Sequence, residues 1–123
     1  LKRKIITIDG PAASGKGKIA KYISRKWKFK HLDSGILYRK IAYFLIENKI
    51  NYKSHSKIKD SIKKINFISF RNDKKLRYRN VSKLASKIAT FKFIRMHVNK
   101  FQRDFVRKDV KNDCFVIDGR DMA

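Results

Sequence analysis

The stretch that most restricts the fold of this chain is Ile5–Lys18, IITIDGPAASGKGK. Lys4 to Ile8 is β-branched and apolar, which predicts a strand buried on both faces of a parallel sheet. It runs directly into Gly10-Pro11-Ala12-Ala13-Ser14-Gly15-Lys16, followed by Gly17 and Lys18. Two glycines bracketing four residues, with Lys next, let successive backbone N–H groups turn inward around a phosphate. The following helix N-terminus adds partial positive charge, and Lys16 reaches the terminal phosphates. Residues 10–18 are therefore the expected site for the phosphates of a nucleotide.

The remaining pattern alternates strands and helices. A helix is expected from about Gly15 to Trp27, with Ile19, Ile23 and Trp27 forming its apolar face and Lys18, Lys21 and Arg25 pointing away. Phe29–Leu32 reads as a second strand. Asp33-Ser34-Gly35 reads as a turn whose Asp or Ser can cap a helix from about Ile36 to Glu47. Residues 48–56 read as a loop and Lys57–Ile65 as a short amphipathic helix. Asn66–Phe70 and Lys75–Arg79 read as strands around a turn. Val81–Phe91 and Lys92 to about Lys108 read as helices, the second with an apolar stripe through Ile94, Val98, Phe101 and Phe105. Cys114–Ile117 reads as a third buried strand, ending in Asp118-Gly119. This order predicts an α/β fold with an inserted α+β subdomain. A single domain over 1–123 is expected, with its core in 1–47 and 110–123 and the insert at about 48–109.

Charge bounds the partners. The chain has 33 Lys+Arg against 10 Asp+Glu, a net +23 over 123 residues. The basic residues are spread along the chain with no basic tail, as compositional drift in an AT-rich genome would produce. The charge still favours phosphorylated ligands and implies nonspecific RNA binding at low salt, with no specific nucleic-acid partner. No apolar run approaches the ~20 residues of a membrane span. No signal peptide is expected, and the lone Cys114 reads as a reduced core thiol of a cytoplasmic, monomeric protein.

Three further stretches give the phosphate site an acceptor. His31-Leu32-Asp33-Ser34-Gly35-Ile36-Leu37-Tyr38-Arg39 places an Arg one to two helical turns after a strand end, where it suits a second phosphate. Ser86-Lys87-Ile88-Ala89, Arg95 and Gln102-Arg103 follow on the helices. On residue type alone, Gln102 and Arg103 read as a solvated helix face. Val116-Ile117-Asp118-Gly119-Arg120-Asp121-Met122 puts a carboxylate at the end of a strand beside the phosphate-loop strand, where a Mg²⁺-organising group belongs. Together these motifs resemble bacterial cytidylate (CMP) kinase, a P-loop nucleoside monophosphate kinase, in the right order over nearly the whole chain.

The resemblance implies a P-loop parallel sheet with flanking helices and an inserted nucleoside monophosphate-binding subdomain. It implies ATP-dependent phosphorylation of CMP or dCMP with Mg²⁺. Lys16, Asp118 and Arg120 would be catalytic, and Asp118 the Mg²⁺ group. Ser34, Arg39, Ser86, Arg103, Arg120 and Asp121 would bind CMP, with Ser86 and Arg103 facing the base and Asp121 accepting from its amino group. Three departures stand out. Lys18 replaces the family's Thr, the insert is short between Phe70 and Leu76, and the chain stops at Ala123 before the family's remaining strands and arginine-rich lid. With those absent, the phosphate-loop strand is expected to be an open edge and the isolated chain a weak nucleotide binder with little kinase activity. The competing readings are a non-catalytic remnant that binds RNA or anions through its charge, and a P-loop kinase acting on AMP, GMP or dTMP.

Overall fold

The computed structural model describes residues 4–10, 15–67, 73–109 and 114–119. It contains β1 (Lys4–Asp9), α1 (Lys16–Trp27), β2 (Lys30–Asp33), α2 (Ser34–Glu47), α3 (His55–Ile62), α4 (Asp73–Leu76), α5 (Arg79–Ile88), α6 (Lys92–Lys108) and β3 (Cys114–Gly119). The chain divides into two units, one of residues 1–34 with 92–123 and the other of residues 35–91.

The first unit is a three-stranded sheet in the order β1-β3-β2. Both pairings are parallel, with Ile8 and Asp33 each opposite Asp118. A parallel pair cannot be closed by a tight turn, so helices connect the strands. Side chains alternate across β3. Phe115 and Ile117 pack with Val106 of α6 and Leu32 of β2 on one face. Asp118, two residues from Val116, lies on the other face, against the first turn of α1. The unit is thus helix, sheet and helix, as an α/β chain requires.

β3 is the buried strand: Phe115 and Val116 are fully enclosed and Ile117 nearly so. β1 departs from the expectation of burial on both faces. Five of its six residues are exposed, Ile5 by 49% and Ile6 by 37%. Among the described residues its one ladder partner is β3.

The turn of α1 about its axis also differs from expectation. Ile19 and Trp27 are exposed, and the fully buried residue is Ala20. The Ile19–Ile23–Trp27 stripe is turned partly toward solvent, with Ile23 half-buried between the exposed Ile19 and Trp27. α1 ends with Lys28 in the left-handed conformation (φ 56°, ψ 39°), its N–H bonded to the Ser24 carbonyl. The next N–H, of Phe29, bonds the same carbonyl at 3.1 Å.

The described part of the second unit is helical. Leu37, Ile41 and Leu45 of α2 are buried, as are Ile58 and Ile62 of α3 and Val81, Ala85 and Ile88 of α5. The strand expected at Lys75–Arg79 is instead α4 and the beginning of α5. Arg77 N–H and Tyr78 N–H bond Lys74 and Lys75 carbonyls at 3.1 and 3.3 Å, closing helical turns. Lys, Leu and Arg are helix formers, and one buried anchor, Leu76, gives no strand-like alternation. Of the strand expected at Asn66–Phe70, residues 68–70 lie outside the described residues, and Phe67 forms a turn. Lys40 Nζ of α2 donates to the Phe67 carbonyl at 2.5 Å. At the other end, Lys87 Nζ of α5 donates to Tyr52 Oη at 3.1 Å.

The strained Lys28 generates a stability prediction. A left-handed L-residue costs about 1 kcal/mol or more that glycine avoids. Lys28→Gly should raise unfolding stability by about 0.5–1 kcal/mol in urea titrations. Lys21→Gly, inside α1, should lower it by a similar amount.

Candidate phosphate and carboxylate site

Gly15 directly precedes α1 with φ +87°, a conformation that L side chains rarely adopt, and its carbonyl accepts the first helical bond, from Ile19 N–H at 3.2 Å. No acidic residue stands in the first turn of α1. No side chain of that turn itself neutralises the positive end of the helix. Lys16 opens the helix, half-buried, and Lys18 is exposed. Gly10 follows β1, half-buried. Pro11, Ala12, Ala13 and Ser14 lie outside the described residues.

Asp118 is the pivot of the described site. It is 1% exposed. Its Oδ1 accepts the backbone N–H of Ser34 at 3.1 Å, and its Oδ2 accepts Nε2–H of His31 at 2.8 Å. The carboxylate thus caps the start of α2 and holds the end of β2, where His31 is opposite Val116 and Asp33 opposite Asp118. A Cβ built at Gly17 would lie 3.9 Å from Asp118 Oδ2. The carboxylate therefore faces the first turn of α1, immediately after Lys16. A carboxylate oxygen has two lone-pair sites, so both oxygens retain acceptor capacity beyond these bonds. Among the described residues, no three His, Cys, Asp or Glu side chains cluster as a complete metal cage.

The other expected site residues are distributed as follows. Ser34 is buried beside Asp118. Arg39 is half-buried on α2, and Ser86 exposed on α5, both within residues 35–91. Arg103 is exposed on α6. It lines an open groove of about 490 Å³ with Lys92, Arg95, Met96, His97, Asn99 and Lys100. Burial and the positive charge of Lys100 hold the His97 imidazole below its usual pKa. Arg120 and Asp121 lie outside the described residues.

Residue type missed two features. His31 was noticed only as part of a motif, while the fold makes it the side-chain partner of Asp118. Gln102 is not on a solvated face: it is 1% exposed, with its amide nitrogen and oxygen both lacking a partner among the described residues. The missed signal is spacing, because Gln102 continues the four-residue step from buried Ile94 and Val98 to buried Val106.

A parallel sheet whose first strand leads into a glycine-flanked sequence and a helix, with a buried carboxylate at the end of the adjacent strand, is the arrangement of an α/β protein of the P-loop type. The sequence profile of the family described as cytidylate kinase matches residues 6–123. The chain belongs to the cytidylate kinase family. It is 36% identical to a cytidylate kinase of Fusobacterium nucleatum, over 97% of this chain and 57% of that protein. It is also 36% identical to one of Bartonella bacilliformis, over 97% of this chain and 54% of that protein. A bifunctional pantoate ligase/cytidylate kinase of Prochlorococcus marinus is 32% identical over 99% of this chain and 26% of its own length. The chain spans about half the length of the single-function relatives it matches.

Removing the carboxylate should be costly. Asp118→Ala leaves the Ser34 N–H and His31 Nε2–H without their acceptor in a buried site, and should destabilise the protein by about 2–4 kcal/mol. His31→Ala, which leaves the Ser34 bond in place, should cost roughly 1–2 kcal/mol. Chemical denaturation of the two variants and the double variant checks this, and the paired residues should be non-additive.

Proposed function

We propose that this protein serves the transfer of the ATP γ-phosphoryl group to CMP or dCMP. The observation that supports it best is the buried Asp118 carboxylate, facing the first turn of α1 beside Lys16 in a chain of the cytidylate kinase family. In phosphoryl transfer the protein mainly positions its substrates and neutralises charge. The loop of residues 10–18, through backbone N–H groups and Lys16, holds the donor phosphates. Asp118 suits a Mg²⁺ ion that arrives with ATP, because Mg²⁺ keeps several waters and takes only one or two carboxylates from a protein. When bound, the ion neutralises charge on the phosphate oxygens. His31 and Ser34 N–H keep the carboxylate turned toward the loop.

On the acceptor side, residues of about 48–109 form the nucleoside monophosphate-binding region. Arg39 and Arg120 hold the acceptor phosphate, and Ser86, Arg103 and Asp121 address the cytosine with Ser34 nearby. An acceptor carboxylate at the base distinguishes cytosine, which offers an amino group, from uracil, which offers a carbonyl.

Calorimetric titration of the 123-residue chain with CMP, dCMP, UMP and AMP tests the reading. CMP should bind at least tenfold more tightly than UMP, and Asp121→Asn should remove most of that preference. Lys16→Ala should weaken ATP binding without changing CMP binding. Equal affinity for CMP, UMP and AMP overturns the acceptor assignment.

A further inference from the structure

Apart from Lys18, which ends the phosphate loop, the outward side of α1 is not used by the phosphate reading. α1 carries Lys16, Lys18, Lys21, Arg25 and Lys26 and no acidic residue. Four of these, Lys18, Lys21, Arg25 and Lys26, line an open groove of about 480 Å³ together with Tyr22. Among the described residues, none of the four has a carboxylate partner. The surface also presents two large aromatic rings to solvent, Tyr22 at 58% and Trp27 at 54% exposure. Their planes meet at 88°, with centroids 6.3 Å apart. Lys26 Nζ lies 5.6 Å from the Tyr22 ring centre and 5.1 Å from that of Trp27, and 3.3 Å from Tyr22 Oη. Exposed aromatics steadied by a cation within a row of unpaired cations combine two kinds of contact. The cations suit a string of phosphates, and the ring faces suit planar bases.

The geometry points to the outer face of α1 as a binding surface for single-stranded nucleic acid, without sequence preference. Lys18, Lys21, Arg25 and Lys26 neutralise successive phosphates, and Tyr22 and Trp27 stack on bases. From Lys18 to Lys26 the helix axis advances about 12 Å, so the surface takes a short run of nucleotides. Charge complementarity selects a polyanion over a second copy of this chain, which carries the same net +23. The aromatic pair selects a polyanion with bases over one without them.

Trp27 is the only tryptophan in the chain, so its fluorescence reports on this surface alone. Oligothymidylate of about 15 nucleotides and inorganic polyphosphate of similar charge are titrated into the 123-residue chain across a salt series. The oligonucleotide should quench Trp27, with log affinity falling against log salt with a slope of about −2 to −3, as three to four phosphate contacts on a single strand require. Polyphosphate should compete without comparable quenching. Tyr22→Ala should weaken oligonucleotide binding at least fivefold and leave polyphosphate affinity unchanged. The triple variant Lys21→Gln, Arg25→Gln, Lys26→Gln should weaken both at least tenfold, with far-UV circular dichroism confirming an unchanged helix content. Quenching by polyphosphate equal to that by the oligonucleotide overturns the stacking assignment. Unchanged affinity and salt slope in the triple variant place the binding elsewhere on the cationic surface. Emission that shifts with protein concentration in the absence of any ligand assigns the face to self-association. Each of these three results overturns the proposal.

Discussion

One buried carboxylate ties the sheet unit together. Asp118 sits at the C-terminal end of the central strand, where burying a charge is affordable only with hydrogen bonding. His31 Nε2–H and the Ser34 backbone N–H provide it. The first fixes the end of β2, and the second fixes the origin of α2. The third neighbour is the first turn of α1, close enough that Gly17 has just enough room to be replaced by a residue with a Cβ. The same group therefore ties together the end of β2, the Ser34 backbone and the first turn of α1. The electrostatic logic is that of a negative charge held near helix N-terminal N–H groups, where it is favourable for the fold.

Around that pivot, packing is uneven. β3 is enclosed by α6 on one side, through Val106 with Phe115 and Ile117, and its other face meets α1. β1, which leads into the phosphate loop, leaves Ile5 and Ile6 partly in solvent. At roughly 25 cal/mol for each Å² of apolar surface removed from water, β1 gains much less from burial than β3 does.

Much of the sheet unit was legible from the chain itself. The glycine-flanked stretch between a β-branched run and a helix marked the end of β1 and the start of α1, where Gly15 takes a conformation few residue types permit. The buried strand at Cys114–Ile117 was legible from its unbroken apolar run. The facing of α1 was not legible, because Ile19, Ile23 and Trp27 form as regular a stripe as any buried one. The residue that α1 buries completely is Ala20, and which side of a helix is covered is a tertiary fact. The Lys75–Arg79 strand failed because a short, lysine-rich segment with a single apolar anchor carries no usable period. The role of His31 and the burial of Gln102 were hidden for a related reason. A polar residue in a buried stripe looks like a solvated one until its neighbours along the helix or across the sheet are known. Arg39, Ser86 and Arg103 were picked out by motif, and local periodicity carried no information on whether their side chains converge.

Among the described residues β1 pairs with β3 alone, and that has a thermodynamic consequence. A strand held by one ladder opens at less cost than one held by two. Pairing along its other side favours the ordered strand, and so does any ligand that binds only when the strand is ordered. The two events are then linked, each strengthening the other by an equal free energy, whatever occupies the edge. A strand edge thereby becomes an input to ligand affinity, acting through the order of the backbone instead of through any residue that touches the ligand.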